Sequence, residues 1–231
     1  MRPASALLVI AAVWAAVPPA RPGASPAPAQ TPQASAARTL TCDDFDPRMT
    51  RADLATRFGD ANLADGAIEV GEGMSEPGTI IFGGTRDRMH AFWSQRGGTQ
   101  LLTSVTVRTE GTAWSTVDGI TIGTDLKAIE ALNGGPFRLM GFGWDYSGTT
   151  MSWSGGRLAQ RDTGRCRVRL RLRPAPAADL QDALGQVTGL REFASRHPAM
   201  QALNPRVYEM WLELDRFGDR TGRRARRPVV P

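Results

Sequence analysis

CRVRLRLR (166–173) changes side-chain character at every step. Val168, Leu170 and Leu172 fall on one face, and Arg167, Arg169, Arg171 and Arg173 fall on the other. This period of two is that of a strand with one face in a core and one in water. A half-wet strand of this kind belongs to an antiparallel sheet. Short strand-like runs at 67–70, 79–82, 90–94 and 101–109, separated by Gly, Pro and Asp clusters, supply its neighbours as a meander.

Further strands are expected at 119–122 (GITI), 137–146 and 149–153, and a last one at 207–214 (VYEMWLEL). Two short helices interrupt them. Thr50-Arg51-Ala52-Asp53 reads as an N-cap with an acidic first turn, with Leu54 and Phe58 on one face and Gly59 as the stop. Thr124 reads as the second N-cap, followed by Leu126, Ile129 and Leu132 and ended by Asn133-Gly134-Gly135-Pro136. A short helix is expected at 179–184, and Ser195 is expected to cap a turn that has Pro198 in its first positions. The fold class is α+β: two short-helix-plus-antiparallel-sheet units, 39–118 and 119–215, in one body.

The ends carry different information. Arg2 and the apolar run 6–17 (ALLVIAAVWAAV), stopped by Pro18-Pro19, read as a secretory signal over 1–22. The alternative is an uncleaved anchor. Residues 23–38 form a Pro/Ala-rich linker. Segment 216–231 holds six Arg and one Asp and accounts for the whole formal net charge of +5. It reads as a basic, solvated tail with weak contact to anionic lipid as its functional alternative, and export argues against a nucleic-acid partner. The two cysteines, Cys42 and Cys166, are expected to form a disulfide in a periplasmic or secreted protein.

Stretches 49–62 (MTRADLATRFGDAN) and 119–137 (GITIGTDLKAIEALNGGPF) faintly repeat one another. On them the chain resembles the beta-lactamase-inhibitor-protein-like fold and the small bacterial outer-membrane lipoproteins of the SmpA/OmlA type. The resemblance implies a protein-binding or envelope-scaffold role with the sheet as contact surface. The chain departs from the lipoproteins at Cys42, which follows Thr39-Leu40-Thr41 in place of a lipobox.

The densest segment is GFGWDYSGTTMSWSGG (141–156). A hairpin turning at Ser147-Gly148 would place Phe142, Trp144, Tyr146 and Trp153 on one face, as core or as an open aromatic patch. Gly141, Gly143, Asp145, Thr150, Ser152 and Ser154 would lie on the other, a flat surface for a partner's backbone.

Catalytic signals are sparse. His90 and His197 lack metal-ligand spacing, and neither a GxSxG nor a phosphate-binding loop occurs, so no metal or cofactor is expected. Glu69, Glu72 and Glu76 with Asp87 offer candidate paired carboxylates for a hydrolase of cell-wall glycan or peptide. The leading expectation is a non-enzymatic exported protein that binds another envelope protein through its sheet. The hydrolase is the second reading.

Overall fold

The computed structural model describes residues 36–71, 73–162, 166–176 and 178–214. The signal segment, the linker up to residue 35 and the basic tail lie outside the described residues. In chain order the elements are β1 (Arg38–Leu40), α1 (Arg51–Phe58), β2 (Leu63–Gly71), β3 (Met74–Ile81), β4 (Met89–Arg96), β5 (Thr99–Val107) and β6 (Trp114–Thr116). There follow α2 (Leu126–Asn133), β7 (Arg138–Met140), β8 (Thr150–Ser152), β9 (Cys166–Arg173), α3 (Gln181–Gln186), β10 (Glu192–Ala194), α4 (Pro198–Leu203) and β11 (Arg206–Leu214). The α+β class stands.

The main sheet has six strands in the order β2-β3-β4-β5-β11-β9, every neighbour antiparallel. The meander of the first half is therefore completed by two strands of the second half, and β11 pairs on both sides. A three-stranded sheet, β10-β7-β8, and a parallel pair, β1-β6, accompany it. β9 keeps its alternation: Val168, Leu170 and Leu172 are buried, and the arginines between them are half-buried. Across the register its inner face continues through Leu212 and Met210 into Val105 and Val107, all in one hydrophobic cluster with Leu54, Leu126 and Ile129 of the helices.

α1 starts as expected. The Thr50 N–H donates to Asp53 Oδ2 at 2.7 Å while Thr50 Oγ1 accepts from the Asp53 N–H, a complete capping box. α2 starts one residue later than expected. Asp125 is its N-cap and accepts from the Ala128 N–H at 2.9 Å, because the Thr124 hydroxyl is taken by the Thr121 N–H. His197, not Ser195, caps α4: its Nδ1 accepts from the Ala199 N–H, with Pro198 in the first turn. Ser195 is buried and its Oγ accepts from the Phe137 N–H and donates to Glu130. The stretch 119–122 is loop; Ile120 is buried there, but its N–H goes to the Thr116 hydroxyl instead of a ladder.

Cys42 and Cys166 form the disulfide, with Cα atoms 5.6 Å apart. It fastens the segment after β1 to the first residue of β9 across a sequence separation of 124. In the chain-entropy picture such a closure contributes about 5 kcal/mol. No helix among the described residues is long and apolar enough to cross a membrane.

Candidate binding groove

The outer face of the main sheet follows from the register. Ile80 faces His90, His90 faces Thr106, Thr106 faces Trp211, and Trp211 faces Arg169. Two residues along both strands from that last pair, Glu209 stands opposite Arg171 on this same face, and a bulge at Tyr208 follows between it and Val207. The β2–β3 hairpin closes over one side of it. Gly78 permits the approach, since a Cβ there would stand 2.4 Å from Ile68 Cδ1 and 2.7 Å from the Ala91 carbonyl oxygen. Arg108, just past β5, donates from Nη1 to the Glu69 carbonyl at 3.0 Å and ties β2 across the face.

The result is a groove made of two adjoining open depressions that share a border. Its mouth, about 650 Å³, lies among Met74, Trp144, Tyr146, Thr149 and Trp211. Its inner end, about 500 Å³, lies among Ile68, Arg88, His90, Arg108 and Tyr208. Val70, Gly71, Arg171 and Glu209 border both.

The floor is ionic. The Glu209 carboxylate, only 8% exposed, accepts from Arg108 Nη2 at 3.3 Å and from Arg171 Nη1 at 3.5 Å. Tyr208 lies under Arg173, whose Cζ is 5.1 Å from the ring centroid, and burial raises its phenol above the usual range. Burial, with the positive fields of Arg108 and Arg88, lowers His90 to about 4, so the imidazole is neutral at physiological pH. Six buried side-chain polar atoms lack a hydrogen-bond partner among the described residues. Four of them border this groove: His90 Nδ1, Arg108 Nε, Arg171 Nε and Thr149 Oγ1. Unsatisfied polar atoms are rare in folded proteins, so their gathering along this groove makes it the candidate site.

The expected hairpin at 141–154 forms differently. β7 and β8 pair for three residues each, Arg138 opposite Ser152 and Leu139 opposite Thr150 with a shift between, and the chain then opens into a wide loop. That loop is closed by Ser147 N–H to the Trp144 carbonyl and Thr149 N–H to the Tyr146 carbonyl. The aromatic set is therefore divided. Phe142 and Trp153 are buried, Trp153 with its ring centroid 5.6 Å from Phe137, while Trp144 is 62% and Tyr146 67% exposed.

The small-residue surface is divided too. Gly141 is buried against the Val187 and Gly189 carbonyls, and Thr150 is buried with its hydroxyl accepting from the Leu170 N–H. Gly143 and Asp145 border the groove mouth, whereas Ser152 and Ser154 are exposed outside it. These six positions make no common surface, because a nine-residue loop, 141–149, intervenes where a tight turn was expected. Cys42 borders a separate cavity of about 210 Å³ beside the disulfide.

The carboxylates expected for hydrolysis do not converge. Asp87 is buried and accepts from the Ala113 N–H at 2.8 Å and Arg38 Nε at 3.2 Å, a structural anchor for β1 and β6. Glu76 stands opposite Ile68 and Glu69 opposite Ser75, which puts the two on opposite faces of the hairpin. Glu72 lies outside the described residues. No group of three metal-ligating side chains occurs among the described residues.

Arg108, Tyr208 and Glu209 escaped sequence reasoning, and His90 entered it only as a histidine without metal-ligand spacing. The only signal was the basic face of β9, which marked Arg171 as wet; its partners arrive through pairing between distant strands. Comparison with known proteins adds no assignment, since no family model, no curated sequence and no solved structure matches the chain.

Proposed function

We propose that this protein is an exported, non-enzymatic binding protein of the bacterial envelope that holds part of another protein in the outer-face groove. The observation that carries this reading is the gathering of exposed apolar side chains. Six large hydrophobic residues are exposed among those described: Met74, Val117, Trp144, Tyr146, Met151 and Leu190. Met74, Trp144 and Tyr146 all border the groove mouth, the first from the start of β3 and the other two from the loop before β8. Aromatic and Met side chains that stay in water beside a polar floor are the composition of a protein-binding hot spot.

The disulfide fits an oxidising compartment, and the apolar run at 6–17 fits export. The resemblance carried by 49–62 and 119–137 points the same way, to a sheet used as a contact surface.

The test is site-specific photo-crosslinking in intact cells, with a photoreactive phenylalanine at Tyr146 and, as control, at Leu190. The reading requires one discrete adduct from Tyr146 that disappears with Trp144→Ala and has no counterpart from Leu190. Adducts that are equally diffuse from both positions would reject it.

A further inference from the structure

Within that binding reading, we propose that the Tyr208 end of the groove is a carboxylate subsite, and that the ligand is an extended polypeptide segment pairing an acidic side chain there with apolar side chains at the mouth. Charge complementarity selects the acid. Arg88, Arg108 and Arg171 border the inner end, and Arg173 stands over the Tyr208 ring. Two carboxylates oppose these four guanidiniums. Both Glu209 oxygens already accept from arginines, and Glu69 is exposed to water. The inner end thus carries more positive charge than its own carboxylates neutralise, Arg108 and Arg171 half-buried and Arg88 and Arg173 exposed, the condition that a carboxylate from outside corrects.

The unpartnered atoms agree. His90 Nδ1, Arg108 Nε and Arg171 Nε all belong to side chains at this end. An arginine edge presents Nε and Nη together to a carboxylate, so a bound acid that draws either guanidinium slightly out satisfies donors the protein itself leaves unused. Burial is the main cause of the lowering of His90, and the part that Arg108 and Arg88 add reports the same positive field.

A free small anion would fill only the inner end. The two ends share Val70, Gly71, Arg171 and Glu209 as their border, and on the far side of it lie Met74, Trp144 and Tyr146, where the surface is apolar and aromatic. One ligand that uses both ends must carry acidic and apolar groups along a chain, which is the chemistry of a peptide in extended conformation.

Binding of a fluorescein-labelled peptide of alternating Val and Glu to the purified full chain, followed by anisotropy, tests this beside its Gln and Lys counterparts. The Glu peptide should bind about tenfold tighter than the Gln peptide and lose affinity with salt, and the Lys peptide should not bind. Arg171→Gln should weaken the Glu peptide alone, and Glu209→Gln should strengthen it, a gain that a merely misfolded variant would not produce. If the Glu and Gln peptides bind equally and both are lost with Trp144→Ala/Tyr146→Ala, the acidic subsite is wrong and the groove reading survives. Failure of all three peptides to bind, or binding indifferent to every one of these variants, overturns both. A chain dimer that Arg171→Gln dissociates, with no peptide binding, would place a second copy in the groove and also overturn the proposal.

Discussion

Arg171 and Glu209 stand directly opposite each other across β9 and β11, with Nη1 and Oε2 3.5 Å apart, and the same carboxylate also receives Arg108. One nearly buried anion thus serves two half-buried cations on a sheet face that would otherwise be plain. Regular alternation from the Trp211–Arg169 pair sets this pairing, and the bulge at Tyr208 comes just beyond it. The ion triad is both a structural joint, through the bond from Arg108 to the Glu69 carbonyl, and the floor of the groove.

Glu209→Ala should lower stability by about 1–3 kcal/mol, since it leaves two half-buried guanidiniums facing each other without a counter-charge. The loss should shrink when Arg171→Ala is added. Urea midpoints for the single and double variants check both statements.

Trp144→Ala/Tyr146→Ala should leave stability within about 0.5 kcal/mol, because both rings are largely in water. Phe142→Ala, at the buried end of the same loop, should instead destabilise by about 3–5 kcal/mol. Thermal melts of the two variants separate the exposed from the packed half of the aromatic cluster. Equal losses would contradict the divided loop.

His90 ties stability to pH. Its folded value of about 4 lies below the ordinary 6.5, so the unfolded chain takes up a proton that the folded chain refuses. Its contribution is unchanged above about pH 7, and stability falls as pH drops from about 6.5 towards about 4. Urea midpoints across that window should decline less steeply for His90→Gln than for the parent chain.

Gly148 is held at φ +65°, and a Cβ there would lie 1.9 Å from the Leu172 carbonyl oxygen. That carbonyl belongs to backbone, so it cannot swing aside. Gly148→Ala should therefore push the 142–148 loop off β9 and destabilise the protein by about 1–3 kcal/mol or more. Amide exchange should show lost protection at Leu172, whose N–H donates to the Gly148 carbonyl.

Reduction, or Cys42→Ser/Cys166→Ser, should remove about 2–5 kcal/mol. A calorimetric scan with and without reductant reads the loss, and the denatured protein should label two thiols only after reduction. Identical scans would mean that the segment after β1 is held by packing alone.

Local patterns carried local structure well. The alternation of β9, the capping residues of α1 and the final strand at 207–214 stand because each depends on neighbours a few residues away. The strand expected at 119–122 failed although its side chains suit a strand. Its backbone partners are a nearby hydroxyl and loop carbonyls, and no residue pattern reveals that competition. The hairpin at 141–154 failed for a related reason. Gly and Ser at 147–148 permit a tight turn, but burial of Phe142 beside Val187 and Thr188 pulls the chain into a wider loop.

By itself the sequence determined the α+β class, a sheet with one wet basic face, the disulfide pair and the short helix at 51–58. These rest on period, capping and cysteine count, which act within one strand, one turn or one pair. Tertiary structure alone decided the groove. Met74, Trp144, Arg108, Arg171 and Glu209 come from loops and strands far apart in the chain, and the pairing register of the main sheet sets which faces of its strands meet there. A one-residue shift in pairing reverses the face of every side chain beyond it, so the site depends on a register that no short stretch of sequence contains.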